Sequence, residues 1–130
     1  MKIGVFGVIF DDKKRVLLCH RRDIDLWNLP GGGLKGKESS WEGVKREIKE
    51  ETGLETEIDR ISGIYFKPKQ NEIVFAFICR IKSGKIKLTD ESDATEYFDF
   101  KKLPSNTARR QIERIKDAFN KKGEVIMKIQ

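Results

Sequence analysis

The chain has 130 residues, 38% of them hydrophobic, which is enough for one domain's core and too few for two. Charged residues make up 37%, but the 27 basic and 21 acidic side chains interleave with aliphatic and aromatic runs, a pattern that excludes a disordered chain. The net charge of +6 favours polyanionic partners (nucleotides, polyphosphates, nucleic acid or a membrane surface) without choosing among them.

Ile3 to Phe10 is apolar on both alternating faces and is predicted to be a central strand covered on both sides. The run is short and ends in Asp11-Asp12, so it reads as neither a signal peptide nor a membrane span. Arg15 to His20 is a second apolar run, and the polar turn between the two predicts a hairpin. Residues 21 to 38 contain Pro30, Gly31-Gly32-Gly33 and Gly36, and are predicted to form a structured loop. From Ser39 the period becomes helical. Ser39 and Glu42 make a capping box, Trp41, Val44 and Ile48 form an apolar stripe, and Gly53 ends the helix.

Thr56 to Phe66 and Ile73 to Ile81 read as strands, Ile86 and Leu88 as a short extension, and Tyr97 to Phe100 as another strand. Ala108, Ile112, Ile115 and Phe119 mark a second amphipathic helix, with a basic outer face of Arg109, Arg110, Arg114, Lys116, Lys121 and Lys122. Val125 to Ile129 is a terminal strand. A sheet with helices on both sides fits this order. Cys19 and Cys79 lie in apolar strands and imply no disulfide framework, so a reduced, cytoplasmic setting is expected. No linker or repeat interrupts residues 1–130, which read as one domain.

The helix from Ser40 to Thr52 carries the chemistry. At about 100° per residue, Glu47, Glu50 and Glu51 share one flank, beside the apolar stripe. Like charges at these spacings each cost a few tenths of a kcal/mol, and the helix C-terminus disfavours anions further. A solvated acidic face partly neutralised by Lys45, Arg46 and Lys49 is one reading. The other is a set of hard oxygen ligands for Mg²⁺ or Mn²⁺, with open positions for water and phosphate oxygens. The preceding Pro30-Gly31-Gly32-Gly33 favours the second, because glycines let backbone amides and carbonyls approach a ligand closely.

Gly32, Glu38, Arg46-Glu47-Ile48, Glu50-Glu51 and Gly53-Leu54 together match all nine defined positions of G-x5-E-x7-R-E-U-x-E-E-x-G-U, with U aliphatic. The segment from residue 32 to 54 thus resembles the Nudix box. Trp27-Asn28-Leu29-Pro30 is similar to its usual lead-in, and Glu91 with Tyr97-Phe98 and Leu103-Pro104 is similar to the end of such domains.

The resemblance implies an α/β/α sandwich around a central mixed sheet. It also implies a pyrophosphohydrolase that cleaves a nucleoside diphosphate linked to another moiety, a nucleoside triphosphate or an ADP-ribose-like molecule, by water attack on phosphorus. By the same analogy Glu47, Glu50 and Glu51 ligate the cations together with the Gly32 carbonyl, Arg46 positions a box glutamate, and Glu38 lies close to the metal. Glu91 is a further ligand or the general base, a role left open between it and the box glutamates. Gly31, Gly32 and Gly33 receive substrate, and Trp27 is the best placed aromatic for a base. His20 reads as a strand residue. The expected partner is a nucleotide-derived small molecule, with no membrane, bound by a monomer or homodimer. Two alternatives stand beside this reading: a nucleotide-sensing module without turnover, and RNA 5′-end pyrophosphohydrolysis using the basic face of the last helix.

Overall fold

The computed structural model describes all residues from 1 to 130. In chain order it runs β1 (Lys2–Ile9), β2 (Arg15–Arg21), β3 (Trp27–Asn28), β4 (Gly31–Gly33), α1 (Ser40–Thr52), β5 (Leu54–Lys67), a 3₁₀ turn (Pro68–Gln70), β6 (Glu72–Gly84), β7 (Ser92–Asp99), α2 (Arg109–Asn120) and β8 (Ile126–Ile129). Five strands form a mixed sheet in the order β4-β1-β6-β5-β8, and three form an antiparallel sheet in the order β3-β2-β7. The parallel pairs are β1 with β6 and β5 with β8. No helix is long and apolar enough to cross a membrane.

The double-sided apolar pattern of β1 and β6 has a direct cause. Val5, Ile9, Phe77 and Cys79 pack against Val44 and Ile48 of α1 on one face. On the other, Val8 joins Ile115 and Ala118 of α2 together with Val16, Leu18 and Leu29. The large sheet is therefore covered by α1 on one side and by α2 with the small sheet on the other, the layered arrangement expected.

Four expectations are corrected. β1 and β2 do not form a hairpin: apart from one bridge, Phe10 to Val16, β2 pairs with β3 and β7. Both edges of β1 are already taken, by β4 and β6. The stretch read as loop contains β3 and β4, and the three glycines form an edge strand. A Cβ at Gly31 would stand 2.1 Å from the Val5 carbonyl oxygen, so only glycine lets β4 lie this close to β1. Trp41 is 60% exposed, leaving Val44 and Ile48 to bury the helix. Ile86 and Leu88 are exposed and form no strand.

Candidate active site

α1 is built to hold its side chains still. The Ser39 hydroxyl accepts the Glu42 amide at 3.1 Å and the Glu42 carboxylate accepts the Ser39 amide at 3.0 Å. At the other end Gly53 takes the left-handed conformation, φ 82°, and its amide returns to the Lys49 carbonyl. Buried Val44 and Ile48 lock the helix to the sheet, which aims its glutamates at β4.

The glutamates separate into two groups. Glu47, Glu51 and Glu91 offer carboxylate oxygens that all lie within 4.8 Å of one another. Glu51 accepts the Gly31 amide at 2.9 Å. Glu91 arrives from the residue just before β7, where its carbonyl oxygen accepts the Arg22 amide at 3.2 Å. Glu50 stands outside this group, its side chain 39% exposed, and accepts Arg46 Nη1 at 3.0 Å. Gly32 lines the same site: a Cβ there would sit 2.8 Å from Glu47 Oε1, so the glycine leaves the room that Glu47 occupies.

Arg46 organises the rest. Its Nε and Nη2 donate to Glu38 at 2.9 and 2.7 Å, its Nη1 to Glu47 at 3.1 Å, and its Nη2 to the Gly33 carbonyl at 3.2 Å. One guanidinium thus ties the glycine strand to the helix. It holds the Glu38 carboxyl down at about 2, well below the usual range. Glu51 goes the other way. Burial pushes it up to about 8 against the opposing Gly31 hydrogen bond, and the negative charges of Glu47 and Glu91 add to the rise. Burial raises Glu47 as well. Buried Glu47, half-buried Glu51 and exposed Glu91 are crowded together with Arg46 reaching only Glu47, a charge arrangement that a divalent ion would relieve.

Glu51 and Glu91 line a cavity of about 720 Å³ together with Gly31, Gly32 and Asn28. That volume suits a nucleotide-sized ligand. The structure thus brings Glu47, Glu51, Glu91, Gly31 and Gly32 together, with Glu38, Arg46, Glu50 and Gly33 in the supporting network. Trp27 is not brought there. It pairs with His20 in the small sheet and packs edge-on against the His20 and Phe98 rings, at 5.1 and 4.9 Å. Its neighbour Asn28 lines the cavity instead, with a buried Oδ1 that has no hydrogen-bond partner.

Sequence reasoning also missed the far wall. Arg114, expected on the outer face of α2, is buried and lines the cavity with Arg109, Arg110 and Gln111. The usable signal was a polar stripe, Gln111, Arg114 and Asp117, at helical spacing beside the apolar one.

Known proteins resemble this chain in sequence and in fold. The family model described as NUDIX domain matches residues 1–119. A MutT-like protein of Streptomyces ambofaciens is 31% identical over 93% of this chain and 79% of its own length. An ADP-ribose pyrophosphatase of Methanocaldococcus jannaschii is 35% identical over 78% of this chain, which spans 64% of that relative, just under two thirds. Among solved structures, an ADP-ribose pyrophosphatase from Streptococcus suis superposes with a TM-score of 0.80 at 25% identity, covering 99% of this chain and 98% of its own.

Proposed function

On the footing that this chain belongs to the Nudix family and is a hydrolase of phosphoric anhydrides, we propose that residues 1–130 form one catalytic domain that cleaves a nucleoside diphosphate linked to another moiety. Its substrate is an ADP-ribose-like molecule or a nucleoside triphosphate, its cofactor Mg²⁺ or Mn²⁺, and its setting the cytoplasm. The observation that carries the reading is the convergence of Glu47, Glu51 and Glu91 beside a nucleotide-sized cavity lined by Glu51, Glu91 and the glycine strand.

Glu47 and Glu51 would hold the divalent ions with the Gly32 carbonyl, joined by Glu50 once it leaves Arg46. The donor set fits, being hard carboxylate oxygens, close together and raised in pKa where buried. When bound, such ions neutralise the pyrophosphate and lower the pKa of water beside it. The chain's own residues do the rest. β4 presents backbone to the phosphates with no side chain in the way. Arg46 fixes Glu38, Glu47 and Glu50 in one frame, so the carboxylates need not reorganise during the reaction. Glu47 is held by Arg46 and Glu51 by the Gly31 amide, which leaves Glu91 as the carboxylate to take the proton from the attacking water.

The test is a substrate panel at saturating Mg²⁺: ADP-ribose, dinucleoside polyphosphates, canonical and oxidised dNTPs, sugar nucleotides and 5′-triphosphorylated RNA. Cleavage of at least one nucleoside diphosphate derivative, abolished by chelation, is expected. Failure of every compound with either metal would leave a nucleotide-sensing module.

A further inference from the structure

The cavity has a second wall of opposite character. α2 opens onto it at its N-terminus, where Ala108, Arg109, Arg110 and Gln111 line the space. The N-cap position is Ala108, with no side-chain cap, and no acidic residue stands in the first turn. The amides of Gln111 and Ile112 turn back to the Ala108 carbonyl, but those of Arg109 and Arg110 find no acceptor in the protein.

What marks this helix end is Arg114, one turn further along. It is only 3% exposed, yet it lines the cavity. Its guanidinium lies over Phe6 and Tyr65, 5.1 and 5.5 Å from the ring centres, and its Nε donates to Gln130 Oε1 at 3.1 Å. Its two terminal nitrogens have no acceptor, and it takes part in no ion pair. The acids around it are committed elsewhere. Glu72 is bonded to Lys67 at 2.7 Å, Glu113 to Gln130 Nε2 at 2.8 Å, and Asp117 to the Tyr65 hydroxyl and Lys128, both at 2.9 Å. Burial draws the Arg114 pKa down to about 10, the mark of a charge without its counter-ion. A buried cation left unpaired is strongly unfavourable, and this one lines the same cavity as the uncapped first turn of its helix.

We infer that this wall is a second anion subsite, in which the uncapped end of α2, Arg110 and Arg114 bind a phosphate or carboxylate of the substrate that is not part of the anhydride being cleaved. The inference rests on the hydrolase reading of the same cavity. It narrows the substrate class to nucleoside diphosphate derivatives whose far end is itself anionic, in preference to those ending in a neutral sugar.

Binding and turnover test it separately. With all metal chelated, inorganic phosphate is titrated into ¹⁵N-labelled wild-type protein while the arginine Nε–H signals are followed. The Arg114 signal should shift and saturate at millimolar phosphate, with no such change in chloride of equal ionic strength. Arg114→Lys, which keeps the charge for folding but loses the fork, should weaken binding about tenfold, and Arg110→Gln severalfold. Glu51→Gln, on the opposite wall, should not weaken it. In turnover, UDP-glucuronate should exceed UDP-glucose in kcat/KM by about tenfold, and Arg114→Lys should erase that preference.

A wild-type Arg114 signal that does not move overturns the subsite even if hydrolysis is robust. Phosphate binding with equal turnover of the two sugar nucleotides overturns the substrate assignment and makes free phosphate the ligand. Phosphate binding with no cleavage of any compound supports the subsite and refutes the hydrolase reading instead.

Discussion

Both helices contribute to the cavity, α1 through Glu51 and α2 through its first turn and Arg114, and each carries charge of the sign its own dipole disfavours. α1 has Glu47, Glu50 and Glu51 toward its C-terminus, and α2 has Arg109 and Arg110 in its first turn. They differ in what offsets this. α1 has a capping box, a left-handed glycine cap and Arg46 to hold its acids, while α2 has no side-chain cap at either end and an arginine without a counter-ion. Unfavourable charge in α1 is thus offset partly by the protein, and the proposed function leaves the rest to a divalent cation. In α2 it is left for the ligand.

Removing the α1 charges should have the largest effect. Glu51→Gln and Glu47→Gln keep shape and are expected to lower kcat at saturating metal by about a thousandfold or more. Glu50→Gln, at the rim, should cost about tenfold to a hundredfold, with little loss of stability because a like charge is removed. Wild-type turnover in Glu51→Gln would end the comparison by showing that α1 holds no cation. Gly32→Val comes next. Its side chain would enter the space of Glu47, so activity should fall about a hundredfold while circular dichroism reports a folded protein. An unaffected rate would mean that β4 does not shape the site.

The pH dependence of the metal-free protein sharpens the contrast. Glu51 has a folded pKa raised to about 8 by burial, above the roughly 4.5 of the unfolded chain. The folded state therefore holds the proton longer, and stability is lost as pH rises from about 4.5 to about 8, at no more than roughly 1.4 kcal/mol per pH unit. Glu38 contributes in the opposite sense. Arg46 depresses it to about 2, so its stabilisation is present above about 4.5 and lost as pH falls toward 2. Urea midpoints across this range should show the neutral-side decline in wild type and not in Glu51→Gln, and saturating Mg²⁺ should flatten it. A Glu51→Gln curve parallel to wild type would mean that another group titrates there.

How far the sequence could be read follows the same division. α1 was legible to its last residue because its signals are local: a serine and a glutamate three apart, a glycine at the end, and fixed spacing between the acids. The glycine strand reads as a loop because Gly31–Gly33 owes its conformation to Val5 and Phe6, far away in the chain. β2 reads as the hairpin partner of β1 because turn chemistry at Asp11 fixes a reversal and not a ladder. Arg114 reads as solvent-facing because apolar periodicity is blind to a helix that turns polar residues inward, onto a cavity and the Tyr65–Asp117 bond. Only the folded chain reveals that Glu50 and Glu51, adjacent in sequence, have different partners.

The smallest effect separates the two helices most cleanly. Ser39→Ala removes a formed cap and should lower stability by about 1 kcal/mol with no change in phosphate binding. Ala108→Ser supplies a cap that α2 lacks and should raise stability by about 0.5 to 1 kcal/mol. The same hydroxyl would accept the amides that an anion is proposed to use, so phosphate affinity should fall as the melting temperature rises. Ala108→Asp, which adds a fixed negative charge, should exaggerate both changes. A helix end that gains stability and loses ligand through one substitution is left uncapped for binding, whereas one that gains stability and keeps its affinity is merely unfinished.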